Sequence, residues 1–347
     1  MIPRVRCISA CSLVAVLTLP VMPASSAGDD TAPTRKEFLA KYSPALRKLE
    51  EFYKHVHGKG TYTYKSLAQG YEEVLDSEFA VAGDRWRLVQ TIRKETAKKD
   101  KTKGQLKAFV CTPSLAFRLR RDPQRKDCVV QWIGNDASAD YFKATKTLMR
   151  HKLQPFAAPC SLETFAISTL LSHSAFTIDD VSAVKQNSPG LRVSFQVDPH
   201  DPADRLIGNG SLSGWFVVLP EMAWSVDRYE ISYHARPDKK TSEYTTTDSG
   251  VLHYEGSSSS FPLLKRLESH SSFNGKPSDM TDILITELIP GDAPDEDFTA
   301  GAFGVYVGNL QPPSKPHVYY WLILLAVIGF VLASVLHLLS KRRTRGT

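Results

Sequence analysis

Five cysteines, ten histidines and 37 carboxylates are the raw material for chemistry in this 347-residue chain. Little of it is spaced for a reaction. The sequence holds no HExxH, CxxC, Walker-type loop, GxGxxG or GxSxG elbow. His55 and His57 flank Val56, and on a helix end they would face different sides, which is poor geometry for a metal ion. Asp179-Asp180 and Asp295-Glu-Asp297 would serve glycoside hydrolysis only if the fold made two carboxylates converge. Both lie in polar segments. The glycines from Gly208 to Gly214 have the wrong spacing for a phosphate cradle and read as a hairpin turn. The expectation is therefore no catalytic residue, no metal and no cofactor. Of the cysteines, Cys111, Cys128 and Cys160 lie beyond the N-terminal segment. Cys111 and Cys128 are candidates for a bridge between neighbouring strands, and closing such a loop is worth about 3 kcal/mol. Three buried free thiols are the alternative.

The net charge of +6 is terminal. Residues 1–27 hold Arg4 and Arg6, then an apolar stretch, then Ser25 and Ala27 at the −3 and −1 positions of a cleavage site. This is the pattern of a secretory signal peptide. Val318 to Leu339 is 22 residues of nearly continuous apolar character, long enough to span a bilayer. Tyr319, Tyr320 and Trp321 mark one end; Lys341, Arg342, Arg343 and Arg345 mark the other, as expected for a cytoplasmic flank. The organisation expected is a signal peptide at 1–27, an extracytoplasmic domain at 28–308 and a Pro-rich spacer at 309–317. A single transmembrane helix at 318–339 and a basic tail at 340–347 follow. The location expected is the cell membrane, with the N-terminal domain on the periplasmic side.

Residues 28–317 carry 37 bases and 37 acids, a neutral domain that argues against nucleic acid. The balance is uneven. Residues 28–155 carry 26 bases and 16 acids, whereas 156–317 carry 11 and 21. Either the two halves neutralise each other by packing, or a basic face is left for an anionic lipid or polymer.

The elements that would position any site follow from periodicity. Thr34-Arg-Lys-Glu37 is a capping box opening an amphipathic helix with Phe38, Tyr42, Leu49 and Val56 on one face, stopped by Gly58 and Gly60. Glu73–Val81 and Trp86–Ile92 alternate around Ala82-Gly-Asp84 as a hairpin. Lys94–Lys103 is a charged turn without an assigned role. Strands follow at 106–112, 115–120 and 128–133. A helix is expected at 140–150 and another capped by Ser161, with Leu162, Phe165, Ala166, Thr169 and Leu170 on one face. Strands resume at 191–197, 214–219, 224–233, 243–247, 251–255, 266–272 and 283–288. Short links favour antiparallel pairing. The fold class is α+β: a large curved antiparallel sheet, a half-barrel, with a few helices on one face.

Aromatic residues sit on many of these strands. Trp86, Leu88, Trp132, Phe195, Trp215 and Trp224 are candidates to line a concave face that side chains do not fill, a place for an elongated apolar ligand. The order of elements, with Gly214-Trp-Phe-Val-Val-Leu-Pro-Glu-Met-Ala-Trp224 and the following Ser225–Tyr233, resembles the outer-membrane lipoprotein carrier (LolA/LolB-like) superfamily over roughly residues 34–290. Asp297–Gly304 followed by a membrane helix looks like planctomycete envelope proteins. The resemblance implies a half-barrel holding lipid acyl chains against a helical lid. The expected function is thus a membrane-anchored, non-enzymatic binding protein for a lipid, lipoprotein acyl chain or other apolar ligand. The alternative is an envelope-sensing regulatory or scaffold module with a membrane-protein partner. A cell-wall enzyme would need carboxylates or a nucleophile–base pair within hydrogen-bond reach.

Overall fold

The computed structural model describes residues 33–96, 102–135, 140–185, 189–199, 204, 206–237, 242–258 and 261–305. The expected signal peptide, the spacer, the transmembrane helix, the basic tail and residues 97–101 of the charged turn lie outside these. Among the described residues, no helix is long and apolar enough to cross a membrane.

The chain opens with α1 (Arg35–Tyr53). Its capping box forms as the sequence predicts: the Glu37 amide donates to Thr34 Oγ1 at 3.3 Å, and the Thr34 amide donates to Glu37 Oε2 at 2.8 Å. Phe38, Tyr42, Leu46, Leu49 and Tyr53 fall on one face and are buried. Six strands follow: β1 (His55–Ser66), β2 (Tyr71–Ala82), β3 (Arg85–Glu95), β4 (Leu106–Cys111), β5 (Ala116–Arg121) and β6 (Val129–Gly134). A crossover then holds α2 (Asp140–Leu153), a 3-10 turn (Gln154–Cys160), the two-residue strands β7 (Ser161–Leu162) and β8 (Phe165–Ala166), and α3 (Ile167–Ser172). Seven more strands complete the fold: β9 (Phe176–Lys185), β10 (Pro189–Val197), β11 (Gly210–Leu219), β12 (Ser225–Ala235), β13 (Tyr244–Ser258), β14 (Phe261–Phe273) and β15 (Lys276–Pro290).

Thirteen strands form one sheet in the order β6-β5-β4-β3-β2-β1-β15-β14-β13-β12-β11-β10-β9. Two meanders are therefore joined where the first strand pairs antiparallel with the last. The sheet is open, and β6 and β9 are its edges. The crossover links those two edges, so it must traverse a face of the sheet. It does so beside α1: α2 packs on β3, β4 and β5, the 3-10 turn on β12, β14 and β15, and α1 on β1 and β9. Phe79 of β2 stacks on Phe156 of the crossover at 4.3 Å, and Tyr42 of α1 lies 6.0 Å from Phe216 of β11. These contacts make the inner core.

The other face has a smaller core of its own. Ala80, Ala82, Val89, Ala108, Val110, Phe117 and Leu119 point away from the helices and are covered by Ala293, Phe298 and Ala300. Residues 291–305, a strap with 3-10 turns at Asp295–Phe298 and Ala300–Phe303, thus fold back over β2–β5.

Four local expectations are corrected. Gly58 and Gly60 do not stop a helix; α1 ends at Tyr53 and both glycines sit inside β1, with Val56 on the strand rather than the helix. A Cβ at Gly58 would lie 2.0 Å from the Glu287 carbonyl oxygen, so the seam with β15 requires glycine there. The helix expected from Ser161 begins only at Ile167, because Leu162 and Phe165 pair across a turn in which Glu163 has φ 49°. Residues 176–185 are a strand although Asp179-Asp180 interrupts their alternation. The register slips opposite Ser194 and Phe195, which brings both Ile178 and Val181 to the inner core. The two strands expected at 243–247 and 251–255 are one, β13.

Candidate functional site

The site lies on the helix-covered side, where the end of α1, the β2–β3 turn and the crossover meet. Tyr53, Val81, Trp86, Leu153, Cys160 and Ala166 line a mostly apolar cleft of about 280 Å³. Glu50, Lys54, Ser161 and Ser168 form its polar rim. Each wall is fixed by its own element. Tyr53 ends the buried stripe of α1; its hydroxyl donates to the Pro262 carbonyl at 2.9 Å and accepts from the Leu264 amide at 3.0 Å. Trp86 follows the Gly83 turn, whose φ is 60°, and its indole N–H donates back to the Gly83 carbonyl at 3.2 Å. The Lys146 ammonium of α2 sits 5.4 Å from that ring. Val81 is the partner of Trp86 across the hairpin.

The interior of the cleft carries no charge. Burial pushes the Cys160 thiol well above its usual range, with the Glu50 carboxylate adding to the effect. A protonated, buried thiol is a poor nucleophile. Burial likewise raises Tyr53, whose bond from Leu264 only partly offsets it. A neutral apolar wall with a polar rim suits a ligand having an apolar body and a polar end.

The residues expected to line a ligand site are distributed unevenly. Trp86 lines the cleft. Leu88 and Phe195 are buried in the inner core, where Phe195 stacks on Phe176 at 5.6 Å. Trp132 and Trp224 are half-buried against that core, and Trp224 lies 6.1 Å from Phe38. Trp215 lies on the other face of β11 from Phe216, under the Arg192 guanidinium at 4.5 Å. Cys111, Cys128 and Cys160 are free. Cys111 belongs to the inner core, whereas Cys128 packs on the outer one, so the bridge considered between them does not form.

The paired acids stay apart. Asp179 and Asp180 belong to the edge strand β9, whereas Asp295 of the strap binds Arg85 of β3. His55 and His57 are on β1 and reach the strap instead of each other: His55 Nδ1 meets Asp292 at 2.6 Å, and His57 Nδ1 lies 3.2 Å from the Gly291 carbonyl. Among the described residues, no three His, Cys, Asp or Glu side chains converge as metal ligands. Sequence reasoning missed Tyr53, Val81, Leu153, Cys160 and Ala166 as one site. Each is an ordinary apolar position, and only the crossover brings them together.

A scan against protein-family models and a search of curated proteins return no match. Solved structures do match. One is a LolA superfamily protein from Nitrosomonas europaea, with 7% identity and a TM-score of 0.39 over 76% of this chain and 99% of that one. Another is a domain from Vibrio parahaemolyticus described as an outer membrane lipoprotein-sorting protein, with 10% identity and a TM-score of 0.40 over 76% and 97%. A third is a DUF1329 family protein from Desulfovibrio piger, with 10% identity and a TM-score of 0.41 over 76% and 98%.

Proposed function

We propose that this chain is an extracytoplasmic binding domain, held to the membrane by residues 318–339, that takes a lipid or lipoprotein acyl chain into the inner cleft. The apolar cleft between Tyr53, Trp86, Leu153 and Ala166 carries this reading. Its volume of about 280 Å³ suits the end of one chain rather than a whole two-chain lipid. At about 0.8 kcal/mol per buried methylene, six methylenes contribute roughly 5 kcal/mol before ordering costs. Trp86 and Val81 would form one wall, while Trp132 and Trp224 pack against the inner core outside the cleft. The domain works by holding and releasing, not by turnover.

The test is displacement of an environment-sensitive fatty-acid probe from the purified chain. Ala166→Trp fills the cleft and is expected to weaken probe binding more than tenfold. Trp215→Phe, on the other face, is expected to leave it unchanged. Equal binding by the Ala166→Trp variant and the parent would remove the reading. A second reading, recruitment of another envelope protein, has one observation in its favour. β6 is a sheet edge with Val129 and Val130 exposed at 46% and 39%, a strand able to pair with an added one. Co-purification of a stoichiometric partner, lost on Val130→Pro, would support it.

A further inference from the structure

A cavity larger than the inner cleft is also present. It lies on the outer face beside the strap, has a volume of about 620 Å³, and is walled by β1–β5, Thr286 of β15 and the strap's Ala302 and Phe303. Lys59, Arg87, Arg93 and Arg121 line it against two carboxylates, Asp76 and Glu78. The carboxylates are already engaged. Asp76 takes both ends of the Arg93 guanidinium, and Glu78 meets Arg87 at 3.3 Å. Among the described residues, the ion pairs of this cavity are those of Asp76 and Glu78, and neither Lys59 nor Arg121 makes one. Arg87 is held under the strap with Phe303 5.7 Å from its guanidinium, and its buried Nε has no acceptor among the described residues. A second opening of about 330 Å³ shares Lys59, Glu78 and Arg87 and continues the groove towards His57, where Glu287 and Asp297 balance the cations. The outer cavity thus holds four cations against two carboxylates, a concave polar site whose field favours an anion.

The strap says where that anion comes from. Val305 packs on the outer core, and Val318 begins the apolar stretch after only twelve intervening residues. Fully extended, these reach about 40 Å at most. If 318–339 spans the bilayer, as the proposed function holds, Val305 at the end of the strap stays within about that distance of the lipid headgroups. Arg125 and Lys126, exposed in the β5–β6 turn, extend the same basic surface.

We propose that the outer cavity between Lys59, Arg87 and Arg121 binds the phosphate of an anionic membrane lipid headgroup and so seats the domain on the bilayer beside its own anchor. This rests on the anchor reading and is independent of the inner cleft. The excess of bases in residues 28–155 then has a use: part of it faces the membrane instead of the acidic half of the fold.

Cys128 lines this cavity and is half-buried, whereas Cys111 and Cys160 are buried in the inner core, so one thiol reports on occupancy. The full chain is reconstituted in phosphatidylcholine vesicles, or in vesicles where phosphatidylglycerol replaces part of the phosphatidylcholine. Alkylation of Cys128 is followed by mass mapping of its peptide. The expected result is slower alkylation in the anionic vesicles, reversed by high salt. Each cation removed should raise the phosphatidylglycerol fraction needed for half-protection about fivefold. Lys59→Gln with Arg121→Gln should therefore abolish protection, and Lys59→Arg should keep it. Equal rates in both vesicle types, or protection that survives the double variant, would overturn the proposal. So would inorganic phosphate protecting Cys128 as well as the lipid does, because the source would then be a free anion. Carbonate extraction tests the anchor separately. Should the chain wash out, the same vesicles are added to the released chain and the same readout decides.

Discussion

Truncating Phe298 isolates what holds the strap to the outer face. The ring is 3% exposed and lies in the outer core with Ala293 and Ala300. The Arg85 guanidinium sits 4.8 Å from its centroid and is itself paired with Asp295 of the strap. Removing a buried Phe to Ala costs about 3–5 kcal/mol in a core, and the cation–π contact adds about 0.5–1 kcal/mol. The strap is a surface layer, so the low end applies, about 3 kcal/mol. Because the strap contributes no strand to the sheet, this cost falls on local opening and not on global unfolding. Hydrogen exchange of the full chain reads it directly. The amides of Asp297, Thr299, Gly304 and Val305 bond only to carbonyls within the strap, at 2.9 to 3.1 Å. In Phe298→Ala these should exchange roughly a hundredfold faster, while β2–β5 keep their protection. Unchanged exchange in 291–305 would show that Phe298 does not hold the strap. Equal loss throughout the sheet would show that the strap is part of the cooperative unit, and the reasoning would fail.

Strap docking should also depend on pH. His55 is raised above its usual 6.5, mainly by its hydrogen bond to Asp292, with Glu51 assisting. A raised histidine stabilises the docked state below 6.5 and loses that contribution as pH climbs through the folded value. Proteolysis within 291–305 should therefore quicken between pH 6 and 8, and Asp292→Asn should flatten the change. Glu163 is raised by burial, with Asp248 adding repulsion and the Tyr229 hydroxyl, donating at 3.0 Å, partly offsetting both. Its ionisation opposes folding, so stability should fall as pH rises through its folded value. Glu163→Gln should remove that slope in melting curves taken from pH 4 to 8. The buried Tyr42 hydroxyl has no hydrogen-bond partner among the described residues. Tyr42→Phe should raise stability by about 1 kcal/mol in denaturant titration, and a loss of that size would mean the hydroxyl has a partner. Gly58→Ala should cost about 3 kcal/mol, because its methyl meets the Glu287 carbonyl at the seam.

The parts of this fold legible in the sequence are those whose signals are local. The capping box at Thr34 is complete within four residues. The hairpin from Glu73 to Ile92 shows alternation on both strands and a glycine turn between them. What failed to show was set by distant contacts. Gly58 looks like a helix stop because nothing nearby reveals that β15 will pass so closely. Gly250 likewise breaks β13 on paper, yet a Cβ there would meet the Tyr229 ring at 2.4 Å, so the glycine serves packing within a continuous strand. The bulge at Asp179-Asp180 hides β9, since Ile178 and Val181 share a face at a spacing that alternation forbids. The site was partly legible: Trp86 could be singled out by type and place, but its neighbours Leu153 and Cys160 arrive through a crossover that periodicity cannot route. The strap, though its residues stood out, gave no sign that it would cover β2–β5.

The seam between β1 and β15 has a consequence for how the chain is made. Lys59 receives a hydrogen bond from Thr286, 227 residues later. Each meander on either side can assemble from neighbours in sequence as it emerges, but β1 has an unpaired long edge until β15 is synthesised. Closure of such a distant pair is slow, and an open edge invites pairing with other chains. A partner that shields β1 during synthesis, or a pause that keeps nascent copies apart, would raise the yield of folded chain. The strand that closes the sheet is followed directly by the strap, so sealing the sheet and covering its outer face are consecutive events during synthesis.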